Sequence, residues 1–386
     1  MSPALRLAVR LSATLLFAAL ASTGLALGIG AALPAAAQLT YYAYTGNRGA
    51  IYLYDTERGA TARIHRTTRQ IMTLAWSPDG EQLAFVTHDN GVYRLRALDM
   101  NTGDVRLLTD ITASGHRPQW SPDGAWLAFF SQGPGESTLY LLDTDSGAAV
   151  ETLRGATLGL SWLPDSAQIA LVISSGHDDL PAGVYVLPTA CAGSACDPVP
   201  IVEPSVSDGM PALSPDGAQL AFLSQRDGSW QIYTLDSACL GVKAGCRQRP
   251  VRRTFEPGIA STTLLQWSVD SRWIAFEGWP NAISAAVYVL DTACSGCPNA
   301  VRSVSDPQDA AFAPAWSPDG CWLAYVARRL DQSRIDMIDT ACLSAGKPCL
   351  SGVRHVVRSG EIIWFPAWRP TVRTDFSGTI SRSAGQ

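Results

Sequence analysis

One phrase returns along this chain and limits what it can become. It reads Trp76-Ser77-Pro78-Asp79-Gly80, Trp120-Ser121-Pro122-Asp123-Gly124 and Trp316-Ser317-Pro318-Asp319-Gly320. Degraded copies are Trp162-Leu163-Pro164-Asp165-Ser166, Leu213-Ser214-Pro215-Asp216-Gly217 and Trp267-Ser268-Val269-Asp270-Ser271. A seventh opens at Trp368-Arg369-Pro370 and is not completed. The leading residues lie 44, 42, 51, 54, 49 and 52 positions apart. Self-similarity at such a period means one supersecondary unit per copy, stacked with its neighbours.

The flanks repeat as well. After each turn phrase comes an apolar strand, as in Leu83-Ala84-Phe85-Val86, Leu220-Ala221-Phe222-Leu223 and Leu323-Ala324-Tyr325-Val326. A second strand follows and ends in Asp, as in Leu139-Tyr140-Leu141-Leu142-Asp143 and Val287-Tyr288-Val289-Leu290-Asp291. A third, more polar strand closes the unit, such as Val105-Arg106-Leu107-Leu108. With the short Trp-bearing strand, that gives four strands per unit joined by turn chemistry. Pro presets φ, Asp bonds the turn backbone, and Gly tolerates φ > 0.

Four antiparallel strands repeated radially make a β-propeller, which leaves few open edges. Residues 41–65 supply the last three strands of a unit with no Trp phrase before them. Residues 362–370 supply the missing first strand. The chain is therefore expected to be all-β: a seven-bladed propeller of four-stranded antiparallel blades, closed by its N- and C-terminal strands in one composite blade. The propeller would span residues 38–370, with 371–386 a flexible tail.

The Trp-Ser-Pro-Asp-Gly, Leu-Ala-Phe and Ile-Tyr-x-x-Asp series resembles the TolB-type (WD-repeat-like) propeller repeat over nearly all of residues 39–370. Its motifs are specific for fold and unspecific for function. The resemblance implies a bacterial, extracytoplasmic (periplasmic, cell-surface or secreted) and non-enzymatic protein. Two departures stand against carrying over a TolB role. TolB proteins place an α/β domain before the propeller, where blades here follow the export segment directly, and they have six blades where seven are counted here.

Arg6 and Arg10 precede an uncharged stretch from Leu11 to Leu33, then Ala35-Ala36-Ala37. Basic n-region, apolar h-region and small-x-small site read as a signal peptide over residues 1–37, cleaved after Ala37. The stretch is also long enough to act as an uncleaved membrane anchor. Either way residues 38–386 lie outside the cytoplasm, and the membrane is met only through that anchor.

Composition removes several classes. Formal charge is −5, charged residues are 16% of the chain, and the only lysines are Lys243 and Lys347. So acidic and lysine-poor a chain is not expected to bind nucleic acid. Its 47% hydrophobic content argues against intrinsic disorder.

Eight of nine cysteines fall as pairs: Cys191/Cys196, Cys239/Cys246, Cys294/Cys297 and Cys342/Cys349, each between the third and fourth strands of a blade. Outside the cytoplasm four local disulfides are expected, in preference to zinc or redox chemistry. Cys321, left over, is expected to be a buried thiol.

The repeated Trp and Asp are read as structural, because a catalytic residue would not be needed once per blade. Function then falls to loops. One face carries the Pro-Asp-Gly turns and the cysteine loops. The opposite, loop face carries His88-Asp89-Asn90, His116-Arg117 and His177-Asp178-Asp179, whose His and carboxylate groups suit a ligand or metal site. Residues four before each repeat Trp should line the channel mouth: Met72, His116, Leu158, Gly209, Thr263, Phe312 and Trp364. Large apolar groups among these would receive a peptide segment or a sugar ring, unless they plug the channel themselves.

Two functions remain. One is a monomeric binding scaffold without cofactor, catalytic residue or metal, presenting one face to a protein, peptide or glycan of the cell envelope. The other is a propeller enzyme, a polysaccharide lyase or hydrolase, using the His and Asp residues of that face. No Gly-x-Ser-x-Gly elbow is present, and binding is the favoured reading.

Overall fold

The computed structural model describes residues 38–370 except 46–47, 112–117, 133–136, 174–179, 194–196, 203–207, 241–248, 256–263, 280–283, 295–299, 331, 347–348 and 360–361. The expected signal peptide or anchor (1–37) and tail (371–386) lie outside the described residues. Seven four-stranded antiparallel sheets stand in a ring, as the repeat demands. Six are contiguous in sequence and are numbered blades 1–6. Their innermost strands are Gln70–Trp76, Gln119–Trp120, Ala156–Trp162, Asp208–Leu213, Leu265–Trp267 and Ala310–Trp316. The seventh is composite. Its innermost strand, Ile362–Trp368, pairs with Gln38–Thr45, followed outward by Arg48–Asp55 and Ala60–Thr67. Leu39 lies opposite Trp368 in that pairing.

The turn phrase builds each blade's first hairpin by local bonding. Ser77, Ser121, Ser214, Ser268 and Ser317 each donate a hydroxyl hydrogen bond of 2.5–2.6 Å to the Asp two residues on. The same hydroxyl accepts the N–H of the residue five positions on, at 2.9 Å, in all five turns. Glycine takes the left-handed corner, as at Gly124 (φ 75°) and Gly320 (φ 73°). In two degraded copies Ser166 and Ser271 occupy that corner at φ 58°. Their hydroxyls have other work: each accepts a backbone N–H from the preceding blade's turn, Asp123 and Asp216 respectively, at 3.0 Å.

The repeated tryptophan joins blade to blade. Trp120, Trp162, Trp267, Trp316 and Trp368 each donate the indole N–H to a carbonyl on the preceding innermost strand, at 2.9–3.2 Å. Two positions differ. Leu213 has no indole, and its N–H instead meets the Ser161 hydroxyl; Trp76 bonds Thr40 Oγ1 across the closure. The buried apolar side chains form seven clusters, each shared by two adjacent blades. Stability therefore resides between blades, where two sheet faces exclude water, and an isolated blade has little core of its own.

Arg369 seals the ring. Its backbone N–H bonds the Gln38 carbonyl, its guanidinium bonds Gln38 Oε1 and the Gly80 carbonyl at 2.8 Å, and it lies over the Trp76 ring.

Cys342 and Cys349 form a disulfide with Cα atoms 5.3 Å apart, in the loop between third and outer strands of blade 6. Cys191 and Cys294 are also disulfide-bonded. Their expected partners Cys196 and Cys297, like Cys246 opposite Cys239, lie outside the described residues. One expectation fails: Cys321 is exposed. It follows the turn glycine, one residue before its strand begins at Trp322, so its side chain projects from the turn and never enters a sheet face. Helix is almost absent, and among the described residues no helix is long and apolar enough to cross a membrane.

Candidate functional site

Antiparallel order places the Pro-Asp-Gly turns and the cysteine loops at one end of the blades, the turn face. Second-to-third hairpins and blade-to-blade crossovers lie at the other, the loop face. Of the residues expected to line the loop-face mouth, the structure brings two together. Phe312 and Trp364, on the innermost strands of blade 6 and the composite blade, have ring centroids 5.6 Å apart. Met72 is half-buried against the cluster shared by blades 1 and 2. The Leu158 side chain and all of His116, Arg117, His177, Asp178, Asp179 and Thr263 lie outside the described residues.

His88 has a structural occupation. Its ring stacks on Tyr93 at 4.3 Å, and its Nε2 accepts the Gly91 N–H of its own hairpin at 3.2 Å. The neighbouring Asp89 pairs with Arg69 at 3.3 Å. Among the described residues no group of three or more His, Cys, Asp or Glu is placed to hold a metal ion.

The innermost strands carry a bulge near this mouth. Met210, Ala313 and Phe365 all lie three residues before the repeat Trp or Leu213 and all adopt positive φ, at 47°, 55° and 36°. Left-handed backbone at a non-glycine costs about 1–3 kcal/mol and must be held by its surroundings. At Ala313 the holder is visible: the buried Glu277 carboxylate of blade 5 accepts its N–H at 2.8 Å. Glu277 occupies a position where blades 1–4 and 6 carry Val86, Phe130, Val172, Leu223 and Val326.

A feature missed by sequence reasoning sits at the turn face. The turns and strand ends of blades 4, 5, 6 and the composite blade line an open cavity of about 870 Å³. Its walls include five prolines (Pro215, Pro314, Pro318, Pro366, Pro370) and the indoles of Trp316 and Trp368. Asp216 and Gln266 are the polar side chains of its lining. The Ser214 hydroxyl and the Ala218 N–H hold the Asp216 carboxyl below the usual carboxylate range, so it stays ionised and bonded within its own turn. The sequence signal is present in the prolines at and before the turn phrase; their convergence needs the ring.

An ionic chain fastens the crossover between blades 5 and 6 onto blade 6. Arg329 bonds Asp309 at 2.6 Å and Asp306 at 3.0 Å. Arg334 bonds Asp309 and, at 2.9 Å, Asp336, whose carboxylate meets His355 Nδ1 at 2.7 Å. Asp309 and Asp336 are buried; His355 stands on an outer strand. The His–Asp contact has the form of an oriented base, but Asp336 is shared with Arg334 as part of a structural clamp.

Residues 31–178 match the family model described as the TolB beta propeller domain. Over those residues the chain is similar to TolB-type propellers. Among solved structures, the chain is similar to TolB from Acinetobacter baumannii, with 18% identity and a TM-score of 0.56 over 87% of this chain and 67% of that one. It is also similar to a prolyl endopeptidase, with 16% identity and a TM-score of 0.60 over 86% and 51% of the two chains. An oligogalacturonate lyase in complex with manganese gives 17% identity and a TM-score of 0.54 over 72% and 79%. At such identities the likeness is one of fold, and both binding proteins and enzymes share it.

Proposed function

We propose that this TolB-like propeller is an exported binding scaffold whose axial openings receive part of a protein, peptide or glycan of the cell envelope. The carrying observation is the turn-face cavity. Its walls are rigid prolines and two indoles fixed by hydrogen bonds to neighbouring blades, so a ligand would bind with little ordering of the site. Its one carboxylate is occupied by turn bonds, which suits recognition better than proton transfer. Export is supported by the basic and apolar N-terminal segment and by the Cys342–Cys349 disulfide, which persists in oxidising compartments.

Val269 tests the reading, because it lines the cavity from an exposed turn position. Immobilised wild-type protein is expected to capture an envelope component that Val269→Trp captures at least tenfold less well, at unchanged melting temperature. Equal capture by both would sink the cavity's role. Metal analysis of the purified protein is expected to be substoichiometric; stoichiometric Zn, Mn or Ca would transfer the reading to an enzyme.

A further inference from the structure

The turn-face cavity carries a charge that its walls do not balance. Asp216 lines it, and Asp270 and Asp319 each follow a wall residue, Val269 and Pro318. Three consecutive blades thus bring a carboxylate to the rim, and all three are exposed. Their turn bonds fall on one oxygen. Each Oδ1 accepts the serine hydroxyl two residues back and the N–H two residues on. The second oxygen takes no part in those bonds. Held this way, a carboxylate is fixed in place and kept ionised, since neither donor carries charge.

No lysine or arginine lines the cavity. The two arginines of these turns are engaged elsewhere: Arg272 forks onto Asp291 at 3.2 and 2.8 Å, and Arg369 bonds Gln38 and Gly80. Third-strand ends add Asp236 and Asp339 at the same face. An occupant of the cavity therefore meets a negative rim.

The walls add a second requirement. Five prolines, Val269 and two alanines make them apolar and rigid. An inorganic cation gains nothing from such walls, and an uncharged apolar ligand gains nothing from the carboxylates. Arginine and lysine satisfy both, laying their methylenes on apolar surface while the charged head meets carboxylate oxygens. At about 870 Å³ the cavity has room for several residues of peptide. We infer that the turn-face cavity selects a basic peptide segment of a partner protein, one in which arginine or lysine stands beside apolar residues. This preference rests on the scaffold reading for the cavity as the binding site; the sign of the charge comes from the three turns.

Titration calorimetry at 0.15 M salt, where exposed charges more than about 8 Å apart are largely screened, tests it with N-acetyl-Leu-Arg-Leu-Arg-amide, its citrulline counterpart and spermidine. The blocked ends leave the guanidinium groups as the peptide's only charges. The arginine peptide is expected to bind, the citrulline peptide and spermidine at least tenfold more weakly. Asparagine keeps the Oδ1 acceptor and removes the charge, so the double variant Asp270→Asn, Asp319→Asn should lose at least tenfold at unchanged melting temperature. Asp123→Asn makes the same exchange in the turn of blade 2, away from the cavity, and is expected to bind as wild type does. Equal binding of the arginine and citrulline peptides overturns the preference. So does an equal loss in Asp123→Asn, which would belong to the charge of the whole face. Spermidine binding as well as the peptide overturns the assignment to a peptide. Binding that appears only in Arg373→Gln would put this chain's own arginine in the cavity and overturn the partner. Should the double variant fail to fold, Asp270→Asn decides alone, with a loss of at least threefold. If the arginine peptide does not bind while Val269→Trp still abolishes envelope capture, the preference falls and the scaffold stands. Arginine-peptide binding that survives Val269→Trp removes the cavity from both.

Discussion

A single histidine shows how local surroundings tie this molecule to pH. His65 stands on the outer strand of the composite blade, its ring 5.3 Å from Phe85 of blade 1. Burial, and secondarily the Arg96 charge, push its pKa below the ordinary value of 6.5. The folded protein therefore holds a neutral ring where the unfolded chain would be protonated first. His65 adds to stability above 6.5, and that contribution declines as pH falls from 6.5 towards the lowered folded pKa. Urea midpoints at pH 7 and pH 5 should converge in His65→Gln relative to wild type. An unchanged pH slope in the variant would refute the assignment. The turn residues teach a related lesson. Ser166 and Ser271 look like decay of the repeat, yet each gives a hydroxyl to the blade before it.

At the scale of elements, the innermost strands do two jobs at once. Their Trp ends lock blade to blade, and their bulged starts aim side chains at the loop-face mouth. Trp316→Phe isolates the first job, since it keeps an aromatic wedge and removes the 2.9 Å bond to the Gln266 carbonyl. Leaving that carbonyl unpaired should cost about 1–3 kcal/mol. Chemical denaturation reads the loss, and a change under 0.5 kcal/mol would mean that ring packing alone holds the blades. How much of the site is legible in sequence varies by element. Phe312 and Trp364 follow from spacing, because position along a repeat fixes position along the axis. The turn-face cavity does not, since its walls come from four blades and Val269 stands in one of them where the turn phrase has proline. Cys321 misleads because a strand-forming neighbourhood says nothing about the turn from which it projects.

For the whole molecule the decisive contact is the closure. Residues 38 and 369 are far apart in sequence, yet Arg369 bonds Gln38 and Gly80 and covers Trp76. Losing these part-buried, charge-assisted bonds should cost about 2–3 kcal/mol in Arg369→Ala. The composite blade should then open first, freeing two unpaired strand edges. Hydrogen exchange across residues 38–67 and 362–370 is expected to accelerate ahead of blades 2–5, and light scattering to reveal self-association. Uniform exchange around the ring would show that the seal carries no special weight.

The repeat alone was enough to settle blade number, strand order, the structural role of the repeated Trp and the composite closure. Each depends on turn and strand chemistry written within a few consecutive residues and copied at a steady period. The turn-face cavity, the carboxylates gathered at its rim and the Glu277–Ala313 bond were settled only by the folded ring. They are made by side chains roughly fifty residues apart, and which of those meet depends on how each sheet face packs on the next.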